Sequence, residues 1–122
     1  MFFPISDWFA AFVLTLAVEL PIAVLALRPA EPQVLRLVAL VVYANLATHV
    51  AVWYVFSQLL EVGSLGYVLA VEGWAFGAEA LFYAITIRGL SARRAVAVAF
   101  VANAASFAVG RLIGRQWMGL VA

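Results

Sequence analysis

The sequence contains no cysteine, no lysine and only one histidine. Without thiols there can be no disulfide, no thiolate nucleophile and no cysteine-based metal site. All seven cations are arginine, which reflects codon usage rather than chemistry, and they form no patch large enough to hold nucleic acid. A single His cannot ligate a haem on both faces. Charge is scarce throughout, at 11% of residues against about a quarter in a soluble domain. The GxSxG elbow of a serine hydrolase is missing, as are phosphate loops and dinucleotide fingerprints. The first residues, MFFPISDW, lack the basic start of a signal peptide and are expected to stay on the mature protein.

What the chain does have is apolar residues, 68% of 122 positions. A chain with so little polar surface belongs in a bilayer. About 20 apolar residues are needed to cross the hydrocarbon core. Four segments qualify, at about 8–27, 35–60, 65–87 and 95–113. RPAEPQ, EVGSLG and RGLSARR separate them, each rich in residues that break helices. Such short loops make successive helices antiparallel neighbours. The expected fold is an all-α integral membrane protein, a four-transmembrane-helix bundle forming a single membrane domain over 1–122.

Orientation follows from where the arginines fall. Loop one carries Arg28 and Arg36, and loop three carries Arg88, Arg93 and Arg94, whereas the middle loop has Glu61 and no Arg. Loops one and three are therefore expected in the cytoplasm, with both termini outside, in a bacterial or archaeal cytoplasmic membrane. Arg111 and Arg115 argue weakly the other way. Trp8, Trp53, Trp74 and Trp117 fall toward the outer end, as an aromatic belt would.

The second half of the chain echoes the first. RLVALVVYANLAT (36–48) and RAVAVAFVANAAS (94–106) share six of 13 positions, and Thr48 aligns with Ser106. ELPIAVLALR (19–28) and EALFYAITIR (79–88) keep the same Glu-to-Arg spacing. The expectation is two parallel-duplicated helical hairpins, at about 8–60 and 65–115, related by a pseudo-two-fold along the membrane normal. Glu19, Asn45, Glu79 and Asn103 each lie nine residues from an Arg at the cytoplasmic edge. At 1.5 Å per residue that is ~13–14 Å, close to the midplane of a core about 30 Å thick. One polar residue from each helix thus reaches a common depth.

A carboxylate facing lipid is costly, so Glu19, Glu72 and Glu79 should face the interior. Two interior Glu related by a pseudo-two-fold would tend to share a proton. Asn amides beside them can donate to one carboxyl oxygen and accept from a protonated one. Departures from the repeat are also informative: Pro21 aligns with Leu81, His49 with Phe107, and Glu72 with Phe12. Pro21 frees the carbonyl of Ala17 beside Glu19 and is expected to open that turn. Glu79, His49 and Glu72 form a ladder in depth, the pattern of an intramembrane proton relay. A metal identity is unknown from sequence; if one binds, Glu19, Glu79 and His49 are its ligands. Gly73 and Gly77, and Ser106, Gly110 and Gly114, form small-residue stripes suited to close helix packing within the chain or between copies.

The expected function is a small membrane transporter or channel. It would move a proton, a cation or a proton-coupled small solute through Glu19, Glu79, Asn45 and Asn103. Thr48 and Ser106 would support that site, and His49 and Glu72 would form an outer branch. One alternative is a structural or accessory subunit whose Glu and Asn residues clamp helices. A second is a membrane-embedded enzyme acting on a lipid, with Glu and His as acid and base. No cofactor is expected. The partners expected are membrane lipid and either a second copy of the chain or a larger membrane complex, with no nucleic acid.

Overall fold

The computed structural model describes residues 5–116, with side chains over 7–113. Four long helices account for nearly all of them. Helix α1 is Ile5–Leu27, α2 runs through Val34–Leu59, α3 is Leu65–Thr86 and α4 is Ala92–Gln116. Each contains a stretch long and apolar enough to span a membrane, which is the signature of an integral membrane protein. The observed ends fall within a few residues of those read from the sequence, because the loops carry strong local stop and start signals. Gly63 and Gly89 adopt positive φ in loops two and three, where a side chain would be strained. Ser64 then caps α3, its hydroxyl accepting from Tyr67 N at 3.1 Å, and Ser91 does the same for Arg94 N at the start of α4.

The packing order is a closed ring. Helix α1 packs on α2 and α4, and α3 packs on α4 and α2, with the α2–α3 seam the thinnest of the four. The large exposed side chains include Leu25, Leu35, Leu65 and Ile85, as lipid-facing positions should. Buried polar residues are Glu19, Asn45, Thr48, Glu79 and Asn103. The protein is thus apolar outside and polar at its centre.

The two ends of the bundle interior differ. Toward loops one and three the space is filled by Ala23, Leu27, Leu37, Val41, Tyr83 and Ile87, closed off by Ala95 and Val98. At this end Arg36 Nη2 donates to Thr86 O at 3.1 Å, and Arg94 Nη2 donates to Ala26 O at 3.1 Å. Both acceptors lie in the last turn of a helix, where carbonyls lack an intrahelical donor. Arg36 also pairs with Glu31 at 3.6 Å. The other end of the interior is not filled.

Two features of the helices were not foreseen. The first is a π-helical segment, Val52–Phe56, inside α2 and just beyond His49. Ser57 Oγ donates to Trp53 O at 2.5 Å there, taking up a carbonyl that the wider turn disturbs. The second concerns the glycines of the small-residue stripes, of which Gly73, Gly77 and Gly110 make no close contact inside the chain. A Cβ added at Gly73, Gly77 or Gly110 would meet nothing within 4 Å, and Gly73 and Gly77 lie on the exposed face of α3. Helix α3 meets α2 and α4 through other positions. Gly114 and Trp117 lie outside the described side chains. Pro21 sits inside α1, which continues through it as helix rather than opening into a break.

Candidate functional site

The four residues nine positions from their arginines all end up inside the ring. Glu19, Asn45 and Glu79 are each 1% exposed, and Asn103 is 8% exposed. Their bonding is unequal. Asn103 Nδ2 donates to Glu79 Oε2 at 2.5 Å and to the backbone of its own helix at Ala99 O, 2.8 Å. Ser106 Oγ lies 2.7 Å from Glu19 Oε1 and 3.1 Å from Asn103 O. Helix α4 therefore holds a carboxyl from each of its neighbours, α3 through Asn103 and α1 through Ser106.

Helix α2 is bonded mainly within itself, with Asn45 turned to the Glu19 carboxyl less closely than Asn103 is to Glu79. Asn45 Nδ2 donates to Val41 O at 2.9 Å, and Thr48 Oγ1 donates to Asn45 O at 3.1 Å. Thus Thr48 turns back to its own helix rather than to a Glu. Asn45 faces Glu19, yet its Oδ1 and Glu19 Oε2 both remain without a partner. Glu79 Oε1 is also unpartnered. Three buried acceptor oxygens without a donor form an exception that needs a physical explanation, since buried polar atoms are normally satisfied. A proton on one carboxyl, or a bound cation, supplies what they lack.

Directly above this group, on the side away from the Arg-bearing loops, lies a cavity of about 270 Å³. Glu19, Asn45, Asn103 and Ser106 line its deep part, and Glu72, His49, Trp53 and Tyr67 line its walls. Glu79 lies below it, out of direct contact. Every helix contributes, and among the described residues no Arg lines it. Glu72 lines the same cavity as Glu19. His49 meets the Phe12 ring edge-on at 5.7 Å, and Trp8 stacks on Phe12 at 5.2 Å. His49 Nδ1 is buried without a partner.

His49 and Glu72 therefore share the cavity with Glu19, while Glu79 closes the group from beneath. Among the described residues no three His, Cys, Asp or Glu side chains converge as a metal site requires, so Glu19, Glu79 and His49 do not assemble into one. The aromatic wall of Trp53, Tyr67 and Phe107 was missed in the sequence. Its signal was weak, because aromatic residues near a membrane interface have an ordinary explanation as anchors. Comparison with known proteins finds no matching family model, curated protein or solved structure.

Proposed function

We propose that this chain is a small transporter or channel that moves a proton, a cation or a proton-coupled small solute through the Glu19–Glu79–Asn45–Asn103 group. The observation that carries this reading is the position of two fully buried carboxyls. Glu19 lines the polar cavity and Glu79 lies just outside it, with an apolar cluster filling the interior toward loops one and three. A carboxyl at the floor of a one-sided vestibule can load an ion from that side while the plug blocks leakage. If loops one and three face the cytoplasm, the vestibule faces outward.

The Ser106 contact suits proton chemistry. A hydroxyl has one proton and can direct it to either Glu19 Oε1 or Asn103 O. When Glu19 is ionised, Ser106 donates to it. When Glu19 is protonated, Glu19 donates to Ser106, whose own proton turns to the carbonyl. The contact therefore survives loading and release.

A parallel duplication is part of the same proposal, and three pairs of hydrogen bonds support it. Arg36 to Thr86 is matched by Arg94 to Ala26, Asn45 to Val41 by Asn103 to Ala99, and Thr48 to Asn45 by Ser106 to Asn103. Each partner sits at the corresponding place in its half. The two halves differ where Glu19 and Glu79 are bonded, which is where a directional device needs asymmetry.

The clamp reading has one observation in its favour: the bonds from Asn103 and Ser106 tie α4 to α3 and α1. It gives no role to the polar cavity that Glu19 lines together with His49 and Glu72. The lipid-enzyme reading is weaker. No carboxylate orients His49 through Nδ1 as an acid–base imidazole would require. The deciding experiment is Glu79→Gln in proteoliposomes. Transport predicts a folded protein whose proton or cation flux is abolished, whereas unchanged flux sinks the transport reading in favour of the clamp.

A further inference from the structure

A second void adjoins the vestibule. It measures about 430 Å³, lies between α3 and α4, and is walled by Leu69, Gly73, Phe76, Phe100 and Ala104. It shares Val68, Glu72, Asn103 and Phe107 with the vestibule. Phe100 is 60% exposed and Gly73 lies on the lipid-facing surface, so the groove opens sideways toward the bilayer. One void is polar and acidic, the other is apolar, and Glu72 stands at their junction.

From this juxtaposition we infer that the substrate is a single-chain amphiphilic amine, its ammonium head in the vestibule and its alkyl tail in the α3–α4 groove. This rests on the transport reading and names the substrate class for that site. Charge selects the head. Among the described residues the vestibule presents Glu19 and Glu72 with amide and hydroxyl oxygens and no Arg, a lining that favours a cation over an anion. Trp53, Tyr67 and Phe107 add ring faces, to which an ammonium is attracted by the quadrupole. Arg111 lies over the Phe107 ring at 5.9 Å and lines neither void.

Shape selects the tail. A purely inorganic cation has no use for an apolar side opening, and a headgroup-sized solute fills only the vestibule. An alkyl chain in the groove stays in contact with lipid-like surroundings while its head reaches the carboxyls. The substrate can therefore enter from the membrane without dragging its tail through water. Gly73 lines the groove with no side chain to fill it, and a Cβ added there would meet nothing within 4 Å.

The test uses the full chain in phosphatidylcholine nanodiscs, with protein-free discs subtracted, and measures binding by calorimetry. The probes are dodecylammonium, butylammonium, dodecanol and dodecyl sulfate. Dodecylammonium should bind and the two uncharged or anionic chains should not. Glu72→Gln should weaken both amines about tenfold or more, as expected for loss of a charged partner. Gly73→Leu or, on the facing wall, Ala104→Leu should weaken dodecylammonium about tenfold through crowding. Neither should change butylammonium, which shows that each variant is folded. Equal binding of dodecanol or dodecyl sulfate, or no effect of either groove substitution, would overturn the inference. So would displacement of dodecylammonium by phosphatidylethanolamine, or a groove closed by a second copy that cross-links through Gly73→Cys. Glu79-dependent proton flux that ignores every amine would leave the transport reading standing and remove this one. Amine binding without Glu79-dependent flux would remove the transport reading and leave the two voids as a binding site for the amine, no longer as a route for a substrate.

Discussion

At the scale of single residues, the informative contrast is between two asparagines in nearly the same sequence setting. Asn45 and Asn103 each donate to the carbonyl four residues back, but Asn103 also donates to Glu79 at 2.5 Å, whereas Asn45 stands against Glu19 without so close a bond. Hydrogen bonds between membrane helices contribute about 0.6 kcal/mol on average and at most ~1.7. Asn103→Leu is therefore expected to destabilise the bundle by about 0.6–1.7 kcal/mol, with Asn45→Leu costing clearly less, as read by steric trapping or detergent unfolding. A larger loss at Asn45 would show that α2 and not α4 holds the carboxyls. Ser106→Ala should likewise cost more than Thr48→Ala, since only Ser106 reaches a glutamate. The depth of Glu19, Asn45, Glu79 and Asn103 was legible because each could be counted from an arginine. Their pairing was not, because one sequence does not say which helix neighbours which in the ring.

At the scale of elements, the spans were legible and their internal irregularities were not. Gly63, Ser64, Gly89 and Ser91 announce loops and caps through well-known backbone preferences. VWYVF, at 52–56, contains no Gly or Pro, and nothing in it marks a widened turn. The only hint was length, since the second apolar run exceeds the crossing requirement by several residues. The π segment lies one turn beyond His49 and supplies Val52 and Trp53 to the vestibule wall. Widened turns make weaker ladders and cluster at functional sites. Hydrogen exchange over Val52–Phe56 should therefore run faster than over the buried stretch of α2 around Val41 and Ala44. Equal protection would mean that the segment is as rigid as its flanks. The glycine stripe on α3 left open what it packs on, because a GxxxG pattern fixes a smooth face and not what lies against it.

At the scale of the whole molecule, the absence of native cysteine makes the one-sided interior directly testable. Val52→Cys lines the vestibule and Val41→Cys lies in the plug, where Val41 is fully buried. A membrane-impermeant maleimide should label the first from the face opposite the Arg-bearing loops and should not label the second from either face. Labelling at Val41 from the Arg-bearing face would mean that the plug is porous. The plugged end also carries the two arginine bonds, Arg36 to Thr86 and Arg94 to Ala26. One joins α2 to α3 and the other joins α4 to α1, so both bridge between the first hairpin and the second. Neither joins helices of the same hairpin. On the transport reading, rocking one hairpin against the other to expose the glutamates on the plugged side would break both ties at once. They would then act as a double clasp whose halves release together, and that reading predicts that a bundle with Arg36→Gln and Arg94→Gln leaks more than the native one.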